Sequence, residues 1–215
     1  MRSEIKHLRR EQLIEATIDC IARKGFRRTT LSEVARRARM SPGIVSFYFR
    51  GKDGLLLETL EYLAENYERS WRRAVAAAGP DPVAQLHAII DTDLGPEICN
   101  RRTVPVWAAF WGEARSEPRF RRLCSRLADD YQRQTREIID RIIEHGGYDG
   151  VDAEPVARGL NSMINGLWLD LMIDPAHFDR AAAKRACWTY LASVFPNDFN
   201  ILGTTMPERP SAGFT

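Results

Sequence analysis

The sequence lacks the features that would define a membrane protein or a common class of enzyme. No apolar run approaches the ~18 residues needed to span a bilayer, and the first residues do not form a signal peptide. Four cysteines are scattered without C-x-x-C spacing, four histidines are isolated, and no HExxH, GxSxG or nucleotide-binding glycine loop occurs. These absences favour a cytoplasmic protein that is not an enzyme and needs no metal, cofactor or disulfide.

Positive charge, modest overall, is concentrated at one end of the chain. Residues 1–52 hold 13 Lys/Arg and five Asp/Glu, a net charge of about +8. The remainder of the chain holds 18 Lys/Arg and 24 Asp/Glu, a net charge of about −6. A basic head on an acidic body is the pattern of a DNA-binding module joined to a region that does not contact phosphate. The alternative is a helical interaction module that never binds DNA, and such a module would show no salt-dependent affinity for duplex DNA.

A helix-turn-helix is predicted between Thr29 and Lys52. Thr30 and Glu33 have the spacing of a capping box, which starts a short helix. Ser41 and Pro42 form a second start signal, a hydroxyl residue followed by proline at the first helical position. Two short helices joined by about three residues form a helix-turn-helix, whose second helix enters the DNA major groove. A plain antiparallel helix pair is the alternative.

This stretch resembles the TetR family of bacterial regulators. The residues that carry the resemblance are Thr30, Ala35, Ser41, Gly43, Tyr48, Phe49, Lys52 and Leu55. The resemblance implies an all-α fold with a three-helix DNA-binding domain at residues 1–51 and a helical ligand-binding and dimerisation domain at 52–195. Residues 196–215 are rich in Pro, Gly and Thr, and we expect a disordered tail there.

The predicted DNA-binding residues surround the second helix of the motif. They are Thr30, Ser41, Pro42, Gly43, Ser46, Phe47, Tyr48 and Lys52. The small residues at the start of the helix allow close approach to phosphate or bases, and Phe47 is positioned to contact a thymine methyl group. By resemblance, Tyr48 and Lys52 match family positions that contact phosphate. A solvated basic surface is the alternative for each charge taken singly.

Apolar periodicity and breaker residues predict helices along the whole chain. The predicted spans are Arg2–Lys24, Lys52–Ala78, Pro82–Asp93, a short piece around Glu97–Cys99, Val104–Ser116, Pro118–His145, Ala153–Ile173 and Arg180–Phe195. An all-α enzyme using a Cys/His pair is not excluded by spacing, although no residue pattern points to one.

An aromatic cluster in the body is the candidate sensor. Trp107, Phe110 and Trp111 have i, i+3, i+4 spacing, and Trp168 lies in a second segment, Asn165–Leu169. These segments are similar to those of the BetI-type repressors of choline-to-glycine-betaine synthesis within the TetR family. Aromatic faces suit a quaternary ammonium ion, which has no hydrogen-bonding group. Ordinary aromatic core is the alternative.

Acidic residues keep a second class of effector open. The candidate ligand-binding residues are Asp91, Trp107, Phe110, Trp111, Asp130, Tyr131, Asn165 and Trp168. A polyamine would need carboxylates as well as aromatic rings, whereas lipophilic drugs would need only an apolar pocket. A solvated helix residue is the favoured alternative for each acidic residue other than Asp91 and Asp130.

The last two predicted helices carry the expectation of a homodimer. Gly159, Ser162 and Gly166 in Ala153–Ile173 permit close helix approach, and this helix with Arg180–Phe195 matches the family's dimerisation helices. A dimer implies a palindromic operator on double-stranded DNA, with half-sites about 34 Å apart. Packing within one chain is the alternative.

Overall fold

The protein, described by a computed structural model over residues 2–200, is built from nine α-helices in that range, with no strand. The helices are α1 (Arg2–Lys24), α2 (Leu31–Arg37), α3 (Pro42–Tyr48), α4 (Gly51–Ala77), α5 (Pro82–Asp93), α6 (Val104–Ala114), α7 (Pro118–Gly146), α8 (Ala153–Ile173) and α9 (Arg180–Val194). The all-α prediction is therefore confirmed.

Local chemistry explains most helix boundaries. Gly25 ends α1 with a φ of 79°, and its amide donates to the Ile21 carbonyl at 2.8 Å. Asp81 begins α5, because its carboxylate accepts the amides of Val83 and Ala84 at 3.1 Å while Pro82 occupies the first turn.

One predicted helix is absent. Residues 97–99 form turns, in which the Asn100 side chain donates to the carbonyls of Pro96 and Glu97 at 3.0 and 2.9 Å. These side-chain bonds replace the i to i+4 backbone bonds of a helix.

Packing divides the described residues into two compact units. The first comprises 2–70, 96–131 and 168–178, and the second comprises 71–95, 132–167 and 179–200. Helices α4, α7 and α8 each contribute to both units, so this division does not follow the expected boundary between residues 51 and 52. The boundary between residues 51 and 52, expected to separate the DNA-binding domain from the ligand-binding domain, remains a prediction.

The core of the first unit includes the three N-terminal helices. Leu13, Ile18 and Ile21 of α1 are buried. Val34 of α2 and Val45 of α3 are also fully buried. The complete burial of Val45 anchors α3 in this core, whereas Ser46 and Phe47 on the same helix are exposed.

The second unit extends beyond α9. Phe195 and Phe199 are buried, and the Phe199 ring stacks on the His87 ring at 5.3 Å. The start of the expected tail at residue 196 is therefore too early, because burial of Phe199 holds the chain against this unit. Residues 201–215 of that tail lie outside the described residues.

Candidate DNA interface and aromatic effector site

The first helix of the predicted motif is held by half of a capping box. The Thr30 hydroxyl accepts the Glu33 amide at 3.3 Å. The Glu33 carboxylate binds the Lys24 ammonium, which also lowers the pKa of Glu33. The expected return bond from Glu33 to the Thr30 amide is thus replaced by a bond that ties α2 to the end of α1.

The second helix, α3, presents an open surface at its beginning. Ser41, Pro42, Gly43 and Ser46 are exposed, and Phe47 is 76% exposed. Ser41 occupies the N-cap position, but its hydroxyl makes no capping bond. A Cβ added to Gly43 would meet no atom within 4 Å, so internal packing does not require glycine there. Close approach of an external partner gives a physical reason for its small size.

Two candidate phosphate contacts flank the end of α3. The Tyr48 ring meets Phe47 edge-on at 5.2 Å, and within residues 2–200 its hydroxyl has no hydrogen bond. The Lys52 ammonium lies 6.0 Å from the centre of the Phe26 ring, a geometry that fits cation–π attraction. Both side chains therefore keep donors available at the surface. Neighbouring exposed arginines that the sequence analysis did not single out are Arg27, Arg28 and Arg50.

Five aromatic rings in the first unit form a continuous cluster, here called the aromatic cage. Its members are Tyr67, Trp107, Trp111, Tyr131 and Trp168. Tyr67 is central, with its ring 6.1 Å from Trp107 and 5.9 Å from both Tyr131 and Trp168. Trp111 completes the cluster, 6.3 Å from Trp107 and 6.1 Å from Trp168. Tyr67 was missed as a site residue, although it belongs to the apolar stripe of α4.

The rings of the aromatic cage differ in orientation and burial. Trp111 and Trp168 are nearly parallel, with 9° between their planes, whereas Tyr67 stands at 77° to Trp168. Trp107 and Trp168 are each 3% exposed, but Trp111 is 36% exposed. Trp111 therefore forms the solvent-facing wall of the cage, and its ring can move with the smallest loss of buried contacts.

Phe110 is not part of the aromatic cage. Its ring packs edge-on against Phe26 at 5.5 Å and Phe120 at 5.3 Å, and its side chain is fully buried. Each helical residue advances about 100° around the axis, so Phe110 and Trp111 point about 100° apart. The expectation that Phe110 faces the ligand with the tryptophans is corrected by this geometry.

The polar candidates are not gathered around the rings. Asp91 belongs to the second unit, where its carboxylate pairs with the Lys184 ammonium at 2.5 Å. Asn165, also in that unit, is exposed on α8. Asp130 precedes Tyr131 and is half-buried, but it borders a surface lined by Arg121, Arg122 and Arg126. Their contact with an effector therefore remains a prediction.

A polar network connects the segment before α6 to the DNA-binding helices. Arg102 donates through Nε to Asp19 of α1 at 2.6 Å and also pairs with Glu15. Asp19 accepts from Nε of Arg37, at the end of α2, at 2.8 Å. Glu15 accepts from the Tyr62 hydroxyl of α4 at 2.8 Å. We call this set the α1 bridge; sequence spacing gave no sign of it, because Arg102 lies more than 80 positions from its partners.

Burial and pairing act in opposite directions on Asp19. Burial raises the pKa of this carboxyl, but hydrogen bonds from Arg102 and Arg37, with their attraction, outweigh burial and lower the pKa below its ordinary value of 3.8. Asp19 is thus held as a carboxylate that joins three segments of the first unit.

Comparison with known proteins agrees with this architecture. A family model described as "Bacterial regulatory proteins, tetR family" matches residues 13–59, and one described as "BetI-type transcriptional repressor, C-terminal" matches residues 82–196. The chain belongs to the TetR family of DNA-binding transcriptional regulators. Within that family, its C-terminal region is of the BetI repressor type.

Relatives of similar length support the same assignment. The regulator BetI of Paraburkholderia xenovorans is 34% identical over 88% of this chain and 95% of its own length. BetI of Stenotrophomonas maltophilia is 33% identical over 87% and 93%. These relatives are transcriptional regulators, which confirms the expectation that the chain is not an enzyme.

Solved structures share the fold. A protein from Pseudomonas aeruginosa described as a transcriptional regulator has a TM-score of 0.78 and 26% identity over 88% of this chain and 91% of its own. A regulator from Saccharomonospora viridis, solved in complex with choline, has a TM-score of 0.75 and 21% identity over 85% of this chain and 94% of its own.

Among the described helices of this chain, none combines the length and apolar character needed to cross a membrane.

Proposed function

We propose that the protein is a homodimeric repressor that binds a palindromic operator and responds to a small quaternary ammonium ion of the choline type. The observation that carries the effector assignment is the aromatic cage. The choline-bound regulator with the same fold is consistent with it.

The aromatic cage suits a cation that offers no hydrogen bond. An ammonium ion is attracted to ring faces within about 6 Å, at about 0.5–2 kcal/mol per ring. Neighbouring rings of the cage lie 5.9–6.3 Å apart, so a small ion admitted among them would face several rings together. The rings already touch one another, and we therefore assign Trp111, the exposed ring, as the one that yields to admit the ion.

Helix α6 is the proposed route from effector to DNA. It carries Trp107 and Trp111 of the cage and, on another face, Phe110, which packs on Phe26 just before α2. The preceding segment carries Arg102 of the α1 bridge. An ion that shifts the tryptophans would act on the DNA-binding helices through both contacts. This coupling requires that the ion bind with different affinity to the DNA-bound and the released conformations of the protein.

An exposed apolar stripe on α8 supports the homodimer. Leu169, Met172 and Ile173 have i, i+3, i+4 spacing and are 39%, 36% and 76% exposed. A second copy of the chain would cover this stripe and bring two copies of α3 to one operator. Light scattering of the purified chain should give the mass of a dimer.

Since a bacterial operator lies on the chromosome, the proposed function implies a cytoplasmic protein.

The decisive experiment compares choline with its uncharged isostere, 3,3-dimethylbutanol. Choline should raise the melting temperature and release operator DNA at concentrations that exceed its Kd, since stabilisation follows RT ln(1 + [L]/Kd). The isostere should do neither, because it has the same shape but no charge for the ring faces.

Variants of Trp111 separate ring chemistry from apolar bulk. Trp111→Leu should raise the Kd for choline about 2- to 30-fold, corresponding to one ring at about 0.5–2 kcal/mol. Trp111→Phe, which keeps an aromatic face, should fall between this variant and the wild type. Equal response to the isostere would instead indicate a lipophilic effector, and a response to spermidine alone would indicate a polyamine sensor.

A further inference from the structure

The first turn of α7 lies beside the proposed phosphate-binding edge of the head. The Phe120 ring packs edge-on against Phe26 at 5.9 Å, and Phe26 is also the ring beneath the Lys52 ammonium. Arg119, next to Phe120, is within electrostatic reach of Asp53, the residue after Lys52. A helix of the body therefore begins next to the start of α4.

Two arginines of this turn have no partner among the described residues. Arg119 is committed to Glu117, through bonds of 3.0 and 3.1 Å. Arg121 and Arg122 are exposed, and within residues 2–200 neither side chain has a hydrogen bond or ion pair. Arg122 adds only a weak attraction to the carboxylate of Glu117. The turn thus presents two guanidinium groups that make no direct hydrogen bond or ion pair within residues 2–200, on a surface where Arg126 is a third cation and Asp129 and Asp130 are the acidic neighbours.

We propose that Arg121 and Arg122 form an accessory DNA-contact surface, which binds backbone phosphates outside the half-site contacted by α3. This surface follows Phe120, which shares the Phe26 ring with Lys52, and its positive charge complements the phosphate backbone. It also depends on the proposed operator binding. The body of the protein, acidic as a whole, would then take part in DNA binding through this one basic turn.

Phosphate contacts have two measurable consequences. They add affinity without sequence preference, and each contact steepens the decline of log K with log salt by about 0.9. If each protomer of a dimer contributes one contact, their loss reduces the slope by about 1.8. The loss of affinity between 50 and 200 mM salt then becomes about tenfold smaller.

The test uses a duplex selected by the full-length protein from a random pool, in two lengths. One duplex ends at the outer edges of the half-sites, and the other carries about six further base pairs on each side. The wild type should bind the longer duplex more tightly and with a steeper salt dependence. Arg121→Ala/Arg122→Ala should lose this advantage and retain binding to the short duplex.

Charge-matched and head variants complete the design. Arg136→Ala/Arg185→Ala, in the second unit, makes the same change in net charge and should behave as the wild type on both duplexes. Lys52→Ala should weaken binding to both lengths. Equal losses from the two arginine pairs, or an unchanged length dependence in Arg121→Ala/Arg122→Ala, would overturn the accessory surface while leaving repressor function intact. Failure of the wild type to select any duplex would overturn operator binding itself.

Discussion

Removal of the Arg102 guanidinium from the α1 bridge should destabilise the protein by a modest and calculable amount. Arg102→Met deletes the bonds to Asp19 and Glu15 but keeps an apolar stem. The Arg102 side chain is 46% exposed, so the values for exposed pairs apply, about 0.2–1 kcal/mol each. Two pairs predict a loss near 1 kcal/mol, or a melting temperature about 2–4 °C lower for a chain of this size.

A double-mutant cycle assigns this loss to the bridge. The melting temperatures of Arg102→Met, Asp19→Asn and the double variant give a coupling free energy, which we expect to be about 0.5–1 kcal/mol at pH 7. Added salt should reduce it, because the pair is partly exposed to solvent.

The pH dependence has a definite sign. Since the folded-state pKa of Asp19 lies below its ordinary value of 3.8, its pairing contributes fully above that value and is lost as pH falls through the folded-state pKa. The difference between the wild type and Arg102→Met should be constant from about pH 5 to 7 and should shrink below pH 4. Arg101→Ala is the control, because within residues 2–200 the one hydrogen bond of the Arg101 side chain goes to the Pro175 carbonyl. A coupling energy of zero, or an Arg102 effect of undiminished size when Asp19 is protonated or replaced, would refute the pairing of Arg102 with Asp19 in the α1 bridge.

Two further sets of variants test the DNA interface and the packing of the second unit. Tyr48→Phe and Lys52→Ala should each weaken binding to operator and to unrelated duplex by similar factors, because phosphate contacts carry no base information; a shift in base preference in a binding-site selection would contradict this role. Gly159→Ala should lower the free energy of unfolding by about 1–3 kcal/mol, because the new Cβ would lie 2.5 Å from the Tyr190 hydroxyl oxygen. Tyr190→Phe in the same chain should restore part of the loss in thermal unfolding, and no restoration would show that another contact is responsible.

Residue order alone determined most of the helices and the family. Gly25 and Asp81-Pro82 act within a few positions of the backbone groups that they satisfy, so boundaries at Lys24 and Pro82 were predictable. The pattern from Thr30 to Leu55 likewise carries its information in local spacing, and the family it indicated is confirmed by the comparisons.

The composition of the sites was decided by tertiary packing. Helical spacing predicted that Phe110 shares a face with Trp107 and Trp111. In the structure Phe110 packs on Phe26 instead, because its side chain points about 100° away from that of Trp111. Tyr67 of α4 joins the tryptophans in the aromatic cage. Arg102 meets α1 across more than 80 positions of chain. Periodicity shows which residues share a face of one helix, but it does not show which other helix that face meets. That choice depends on the joint burial of all the helices, and only the folded chain contains it.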